Sequence, residues 1–265
     1  VSWNQAFLAR FGLWDAVLVV AVSLQATAMA YLPQPRLKAF AYYLPIPFSL
    51  ALLALGRPVD TTNALGLLLL NVYIHGVRLL HYRLRLPVVP AIALAAIAYT
   101  LIAWELAPIV PRTEAAFWLA LAAGALLALA LYRLLPPKDE PEHRTALPVY
   151  VKLPVVALVV SFVVAVKNQL GGFMTLFPMV GVVGAYEARR SLWALARGLP
   201  TWMLAMVPML SALRLAQRHV ALPAALALAW CAFLICLLPL TYRQWRAEAQ
   251  TERQRAAISS WRLRG

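Results

Sequence analysis

Long apolar runs, cut at intervals by proline, glycine and charge, constrain this chain more than any other feature. Stretches such as LWDAVLVVAVSLQATAMAYL, AAFWLALAAGALLALALYRLL and VVALVVSFVVAV are mostly Leu, Ala and Val. They approach the ~20 residues that an α-helix needs to cross a hydrocarbon layer of ~30 Å. Of 265 residues, 63% are apolar and 13% charged, against roughly 25% charged in an ordinary soluble domain. A water-soluble fold of this size cannot hide that much apolar surface, so the chain reads as an all-α polytopic membrane protein.

Proline, glycine and charge clusters divide the apolar stretches into nine expected transmembrane helices, at roughly 13–31, 39–56, 63–80, 88–108, 115–134, 149–167, 172–187, 198–214 and 221–241. The distribution of basic residues tests this count. With alternate loops grouped, one side carries Arg36, Lys38, Arg78, Arg83, Arg85, Arg133, Lys138, Arg144, Lys152, Arg189, Arg190, Arg197 and the six arginines from Arg243 to Arg264. The other carries Arg10, Arg57, Arg112, Lys167, Arg214 and Arg218, a division of 18 against 6. A miscount of spans by one would scramble the separation. It orients the chain with its N-terminus outside and its C-terminus in the cytoplasm, in a bacterial inner membrane. The start, VSWNQAFLARFG, lacks a cleavable-signal pattern and leads into a span expected to be retained. The net charge of +14 is thereby accounted for by topology, and nucleic acid is not an expected partner. The tail from 243 to 265, with Trp245 and Trp261 among its arginines, is expected to lie along the anionic inner leaflet as an interfacial helix.

An internal similarity organises the spans. LKAFAYYLPIPFSLALLALG and LGGFMTLFPMVGVVGAYE superimpose with Pro47 on Pro178, and the following spans align with Gly66 near Gly198. Two four-span repeats would then be joined by a connector span, and the odd number of crossings between them inverts one repeat relative to the other. The expected organisation is residues 1–112 for the first repeat, 113–147 for the connector span and a hydrophilic cytoplasmic loop containing PPKDEPEH, 148–242 for the second repeat, and 243–265 for the basic tail. Inverted repeats are a recurrent plan of secondary transporters, with sites near the midplane at broken helices.

The stretch from Gly171 through Phe177-Pro178 to Gly198-Leu199 and Pro208 resembles the GlpM-type family of small four-span bacterial membrane proteins. In that family a glycine precedes an aromatic-proline pair in the second span, and a basic loop leads into a third span with its own Gly-Leu and proline. Gly171, Gly172, Phe177, Pro178, Gly198, Leu199 and Pro208 are the matching positions. In the first half Ile46-Pro47 replaces the Phe-Pro pair. The resemblance implies an integral membrane protein loosely linked to exopolysaccharide production, with no defined substrate and no catalytic residue.

Ionisable or strongly polar groups inside a span are costly, which makes each a functional candidate. Glu105 is the carboxylate set well inside an apolar run; it either couples transport to a proton or cation or reaches interfacial water and a partner such as Arg112. Asn71 and His75 lie four apart and share a helix face, with Gln25 approaching from the first span. They line a polar pathway or act as interhelical hydrogen-bond glue. Arg214 either neutralises an anionic solute or snorkels to the outer interface. KNQLGG, from Lys167 to Gly172, forms the outer mouth or a capped loop, and Asp60 to Asn63 read as an outer turn and N-cap. Cys231 and Cys236 are five apart on one helix, away from any histidine, so they read as packing or lipid-facing residues, with no metal site and no cofactor. No nucleophile elbow, P-loop or paired carboxylates support an enzyme.

The first functional reading is a transporter or channel-like permease for a small solute or ion, with a pathway at Gln25, Pro47, Asn71, His75, Glu105, Phe177 and Pro178. The alternative is a non-catalytic integral subunit that anchors or regulates a larger membrane complex through a membrane-protein partner. Convergence of the polar residues on one wet cavity favours transport, and their dispersal to separate interfaces favours the subunit.

Overall fold

The computed structural model describes residues 11–31, 41, 43–135 and 148–262. Arg10, the loop bearing Arg36 and Lys38, the PPKDEPEH linker and the last three residues of the tail lie outside the described residues. All regular structure among the described residues is helical. In chain order it comprises α1 (Leu13–Tyr31), α2 (Ile46–Leu55), α3 (Thr61–Arg78), α4 (Val88–Ile109) and α5 (Glu114–Leu134), then α6 (Val149–Ala165), the short α7 (Lys167–Leu170), α8 (Met179–Glu187), α9 (Leu192–Ala216) and α10 (Leu222–Arg262). A π-helical turn, Leu79–Arg83, extends α3, and a 3₁₀ segment, Gly171–Leu176, connects α7 to the loop before α8.

Local chemistry sets these boundaries. The Asp60 side chain caps α3 and Asn63 returns a bond to the Asp60 amide, a reciprocal capping box. Thr113 caps α5 through the Ala116 amide. Gly56, at φ 64, closes α2 in the left-handed region, where its amide reaches the Leu52 carbonyl.

Five helical segments are long and apolar enough to cross a membrane: Thr61–Arg83, Val88–Ile109, Glu114–Leu134, Leu192–Ala216 and Leu222–Arg243. Val149–Ala165 with Lys167–Leu176 makes a sixth if this pair, bent by 66°, counts as one span. Along their lengths α5, α6 and α10 leave large apolar side chains exposed, such as Leu119, Leu158 and Ile235, each more than 70% exposed. A helical protein that turns leucine outward along its helices is a membrane protein.

Three of the nine expected spans fall outside this set: 13–31, where the apolar helix counted is the shorter Leu13–Ala28, and two whose helices are much shorter than their sequence reading. The segment 39–56 contains the ten-residue α2, and 172–187 contains the nine-residue α8. At 1.5 Å per residue these helices are about 15 and 13 Å long, about half the hydrocarbon thickness. Proline is the cause: Pro45 and Pro178 occupy the N-cap positions of α2 and α8 at φ −80, ψ 41 and φ −74, ψ 56. With no amide hydrogen and a ring that excludes the preceding turn, each ends the helical ladder there. The tail also differs from the expected separate element, because the α10 backbone continues without interruption from Leu222 to Arg262, 41 residues.

Packing places α3 and α9 together, with α5 against both. α4 lies on α3 and α10 on α9; α1 packs on α6, α2 on α1, and α8 on α6. The core between them is built from Tyr73, Tyr99, Phe48, Phe117, Phe173 and Phe233 together with Leu, Val and Met side chains. Each end of the bundle carries an ion pair, buried at one end and partly buried at the other. Lys152 Nζ meets Glu187 Oε1 at 2.8 Å at the arginine-rich end, and Lys167 Nζ meets Asp15 Oδ2 at 2.6 Å at the opposite end.

Candidate functional site

The two proline breaks face one cavity of about 160 Å³. Tyr43, Pro45, Pro47 and Phe48 contribute from the first break, and Thr175, Phe177, Pro178 and Gly181 from the second. Gln25 of α1, Leu70 and Ile74 of α3, and Ala194, Gly198 and Trp202 of α9 complete the wall. The lining is mainly aromatic and aliphatic with a few polar groups, as expected of a small-molecule site.

Backbone groups freed by the breaks are partly taken up by side chains. The Pro45 carbonyl accepts the Ser49 amide at 3.0 Å and the Ser49 hydroxyl at 2.9 Å. Trp230 Nε1 of α10 donates to Ser49 Oγ at 2.9 Å, and Trp202 Nε1 of α9 donates to the Tyr43 carbonyl at 2.9 Å. At the second break the Met179 amide reaches the Phe177 carbonyl at 2.7 Å. The Phe177 ring stands edge-on to Tyr99 at 5.2 Å, and Tyr99 Oη donates to the Phe173 carbonyl at 2.9 Å. Close approach at each break needs a residue without a side chain on the facing helix. A Cβ on Gly66 would lie 2.9 Å from Leu176 Cδ1, and one on Gly198 would lie 2.7 Å from Tyr43 Oη.

Beyond the cavity, the end of the bundle opposite the arginine-rich one is closed by a polar lock. The Gly172 amide donates to Thr62 Oγ1 at 2.9 Å, and Asn63 Nδ2 donates to the Gly172 carbonyl at 3.2 Å and to Thr175 Oγ1 at 3.0 Å. DTTN and KNQLGG, read separately in the sequence, therefore form one contact between the start of α3 and the 3₁₀ segment. Lys167 adds a bond to the Ala54 carbonyl at 3.2 Å. Around the same end Arg214 binds Glu114 Oε2 through Nε at 3.2 Å and Nη2 at 2.9 Å, and also donates to the Val59 carbonyl. Arg214 is engaged by Glu114 at the bundle end and does not line the cavity.

Of the pathway residues expected from the sequence, Gln25, Pro47, Phe177 and Pro178 come together at the cavity. Gln25 Nε2 reaches the Ala41 carbonyl at 3.3 Å, while its Oε1 is buried and has no partner among the described residues. Asn71, buried in α3, donates to the Leu67 carbonyl and to Met203 Sδ of α9, outside the cavity wall. His75 is half-buried one turn further and does not line the cavity. Glu105 is exposed on α4, apart from the other candidates. The most buried carboxylates are instead Asp15 at 1% and Glu187 at 6% exposure. Exposure on α4 is compatible with the reading of Glu105 as a carboxylate reaching outward, because apolar flanks mark membrane depth without marking which helix face is covered. Tyr43, Thr175, Gly198 and Trp202 of the cavity wall were missed; for Tyr43 its place just before the first proline break was an available signal. Cys231 is exposed, and Cys236 Sγ approaches the Leu204 carbonyl at 3.7 Å.

Comparison with family models, with curated proteins and with solved structures finds no match to this chain.

Proposed function

We propose that this chain is an integral membrane permease for a small solute, working by alternating access between two inverted four-helix repeats. The observation that carries the reading is the cavity of about 160 Å³ between two proline-broken helices, the arrangement in which transporters form midplane sites. The repeats are α1 to α4 and α6 to α10, joined by α5, and the two half-length helices count as broken crossings, giving nine in all. Helix pairing supports the repeat. The α1–α2 contact mirrors α6–α8, α3–α4 mirrors α9–α10, α3–α5 mirrors α9–α5, and α2–α10 mirrors α8–α4. The α1–α6 and α3–α9 pairs map onto themselves.

Residue offsets agree with that pairing. Asn71 bonds Met203, its own counterpart at an offset of 132, and the glycine contacts Gly66–Leu176 and Gly198–Tyr43 exchange under offsets of 132 and 133. The matching cap conformations equate Pro45 with Pro178, two residues from the Pro47 alignment expected from sequence. The GlpM-type resemblance of the second half fits a four-span unit duplicated with a connector. Orientation follows the basic residues, with the arginine-rich end cytoplasmic and the tail near anionic inner-leaflet lipid. In this orientation the Thr62–Asn63–Gly172 lock closes the outer side.

The alternative, an integral subunit that docks a membrane-protein partner, has one observation in its favour. Asn71, His75 and Glu105 do not converge on the cavity, and Glu105 faces outward beside the exposed Trp104 and Leu101. Flux measurements on proteoliposomes separate the readings, using a panel of sugars, amino acids, organic acids and inorganic ions. The permease reading expects at least one solute to cross faster than in protein-free vesicles, and Val180→Trp, which fills the cavity, to abolish that flux. No protein-dependent flux across the panel would defeat it.

A further inference from the structure

At the arginine-rich rim of the cavity, two buried nitrogens lie three residues apart on one face of α3. His75 Nε2 and Arg78 Nη1 are both closed off from solvent and have no hydrogen-bond partner among the described residues. The Arg78 guanidinium lies 4.4 Å from the centroid of the Trp193 ring on α9. Ile74, one turn before Arg78, and Ala194, next to Trp193, both line the cavity, so His75, Arg78 and Trp193 border it from just beyond its wall.

The carboxylates described in the helical bundle supply no counter-charge. Glu187, at this end, is held by Lys152. Asp15, Asp60 and Glu114 are paired with Lys167, Arg112 and Arg214 at the opposite end. Glu105 is exposed on α4. Arg78 is half-buried, and its Nη1 is closed off from water with no acceptor among the described residues, which is unfavourable for a charged group. A planar fork stacked on an indole is held ready to pair with a carboxylate or phosphate.

We infer that His75, Arg78 and the Trp193 ring form a site for the acid group of a small amphiphilic anion, a carboxylate or phosphate ester, whose apolar body enters the cavity. The inference rests on the permease reading in taking this anion as the transported solute. The volume of about 160 Å³ is close to that of an engineered cavity of roughly 150 Å³ that holds benzene, so the apolar body is about six carbons. Phe48, Phe177 and Trp202 offer it aromatic walls.

The test uses the full chain purified in a non-ionic detergent, titrated with sodium hexanoate, hexyl phosphate and neutral hexanol, and read by thermal unfolding and calorimetry. Saturable binding is expected for at least one of the two anions and not for hexanol. Arg78→Gln should weaken it at least about tenfold, Arg78→Lys by less, and exposed Arg85→Gln not at all, with size-exclusion profiles confirming that each variant is folded. A parallel series in phosphatidylcholine nanodiscs, with and without phosphatidylglycerol, identifies the source of the acid group. Arg78-dependent stabilisation by the anionic lipid alone would support the site and assign it a lipid headgroup. Equal binding of hexanol, or anion binding indifferent to Arg78, would overturn it, as would no response to any anion. Arg78-dependent anion binding without flux would keep the site and remove the permease, whereas flux without Arg78-dependent binding would do the reverse.

Discussion

Gly172 is a position where the absence of a side chain is structurally required. An added Cβ would fall on Thr62 Oγ1 and 2.5 Å from Asn63 Oδ1, both fixed by the polar lock. Gly172→Ala should therefore destabilise the protein by roughly 1–3 kcal/mol, measurable as a lower unfolding temperature in detergent; an unchanged temperature would mean that the lock is not formed. The buried Lys152–Glu187 pair makes a second residue-scale prediction. Removing one member leaves a buried charge unpaired at a cost of about 3–5 kcal/mol. Lys152→Met or Glu187→Leu alone should be strongly destabilising, while the double variant should recover most of the loss. A double-mutant cycle on thermal stability checks this, and simple additivity would count against the pair. Neither effect was legible in the sequence. Gly172 read as part of an outer mouth or capped loop and as a position of the family resemblance, and Lys152 read only as side-marking charge, with nothing to pair it with Glu187, 35 positions away.

At the scale of the element, the half-length helices follow from single residues. Pro178 supplies no amide to the preceding turn, and its ring excludes that turn from an α-helix. Pro178→Ala restores a donor and permits α8 to extend toward Gly172, narrowing the cavity between the breaks. Vesicle flux should fall markedly while helicity by circular dichroism stays equal or rises, and undiminished flux would separate the break from the proposed pathway. Proline positions were readable from the chain, and so was their importance. The choice of Pro45 over Pro47 as the capping residue was not, because both satisfy the same local rule and Trp202 and Trp230 secure the segment around Tyr43 and Ser49 from other helices.

For the whole molecule, the proposed topology places Arg83 and Arg112 on opposite faces of the membrane. Single cysteines at these positions, in a background lacking Cys231 and Cys236, should react with an impermeant thiol reagent from opposite sides of sealed vesicles. Labelling from the same side would overturn the orientation and the nine-crossing count. The sequence by itself determined that the chain is a helical membrane protein, that proline interrupts its apolar stretches, and which loops carry arginine. Those features are local: hydrophobic length, proline geometry and loop charge act over one turn to one span. Only the tertiary structure decided which polar groups meet. It brought Gln25, Pro47, Phe177 and Pro178 to one cavity, joined Asn71 to Met203, turned Glu105 outward and set Arg78 over the Trp193 ring. In an apolar span every face is hydrophobic, so periodicity hardly distinguishes the side facing lipid from the side facing a neighbouring helix, and that distinction arises only when the helices pack.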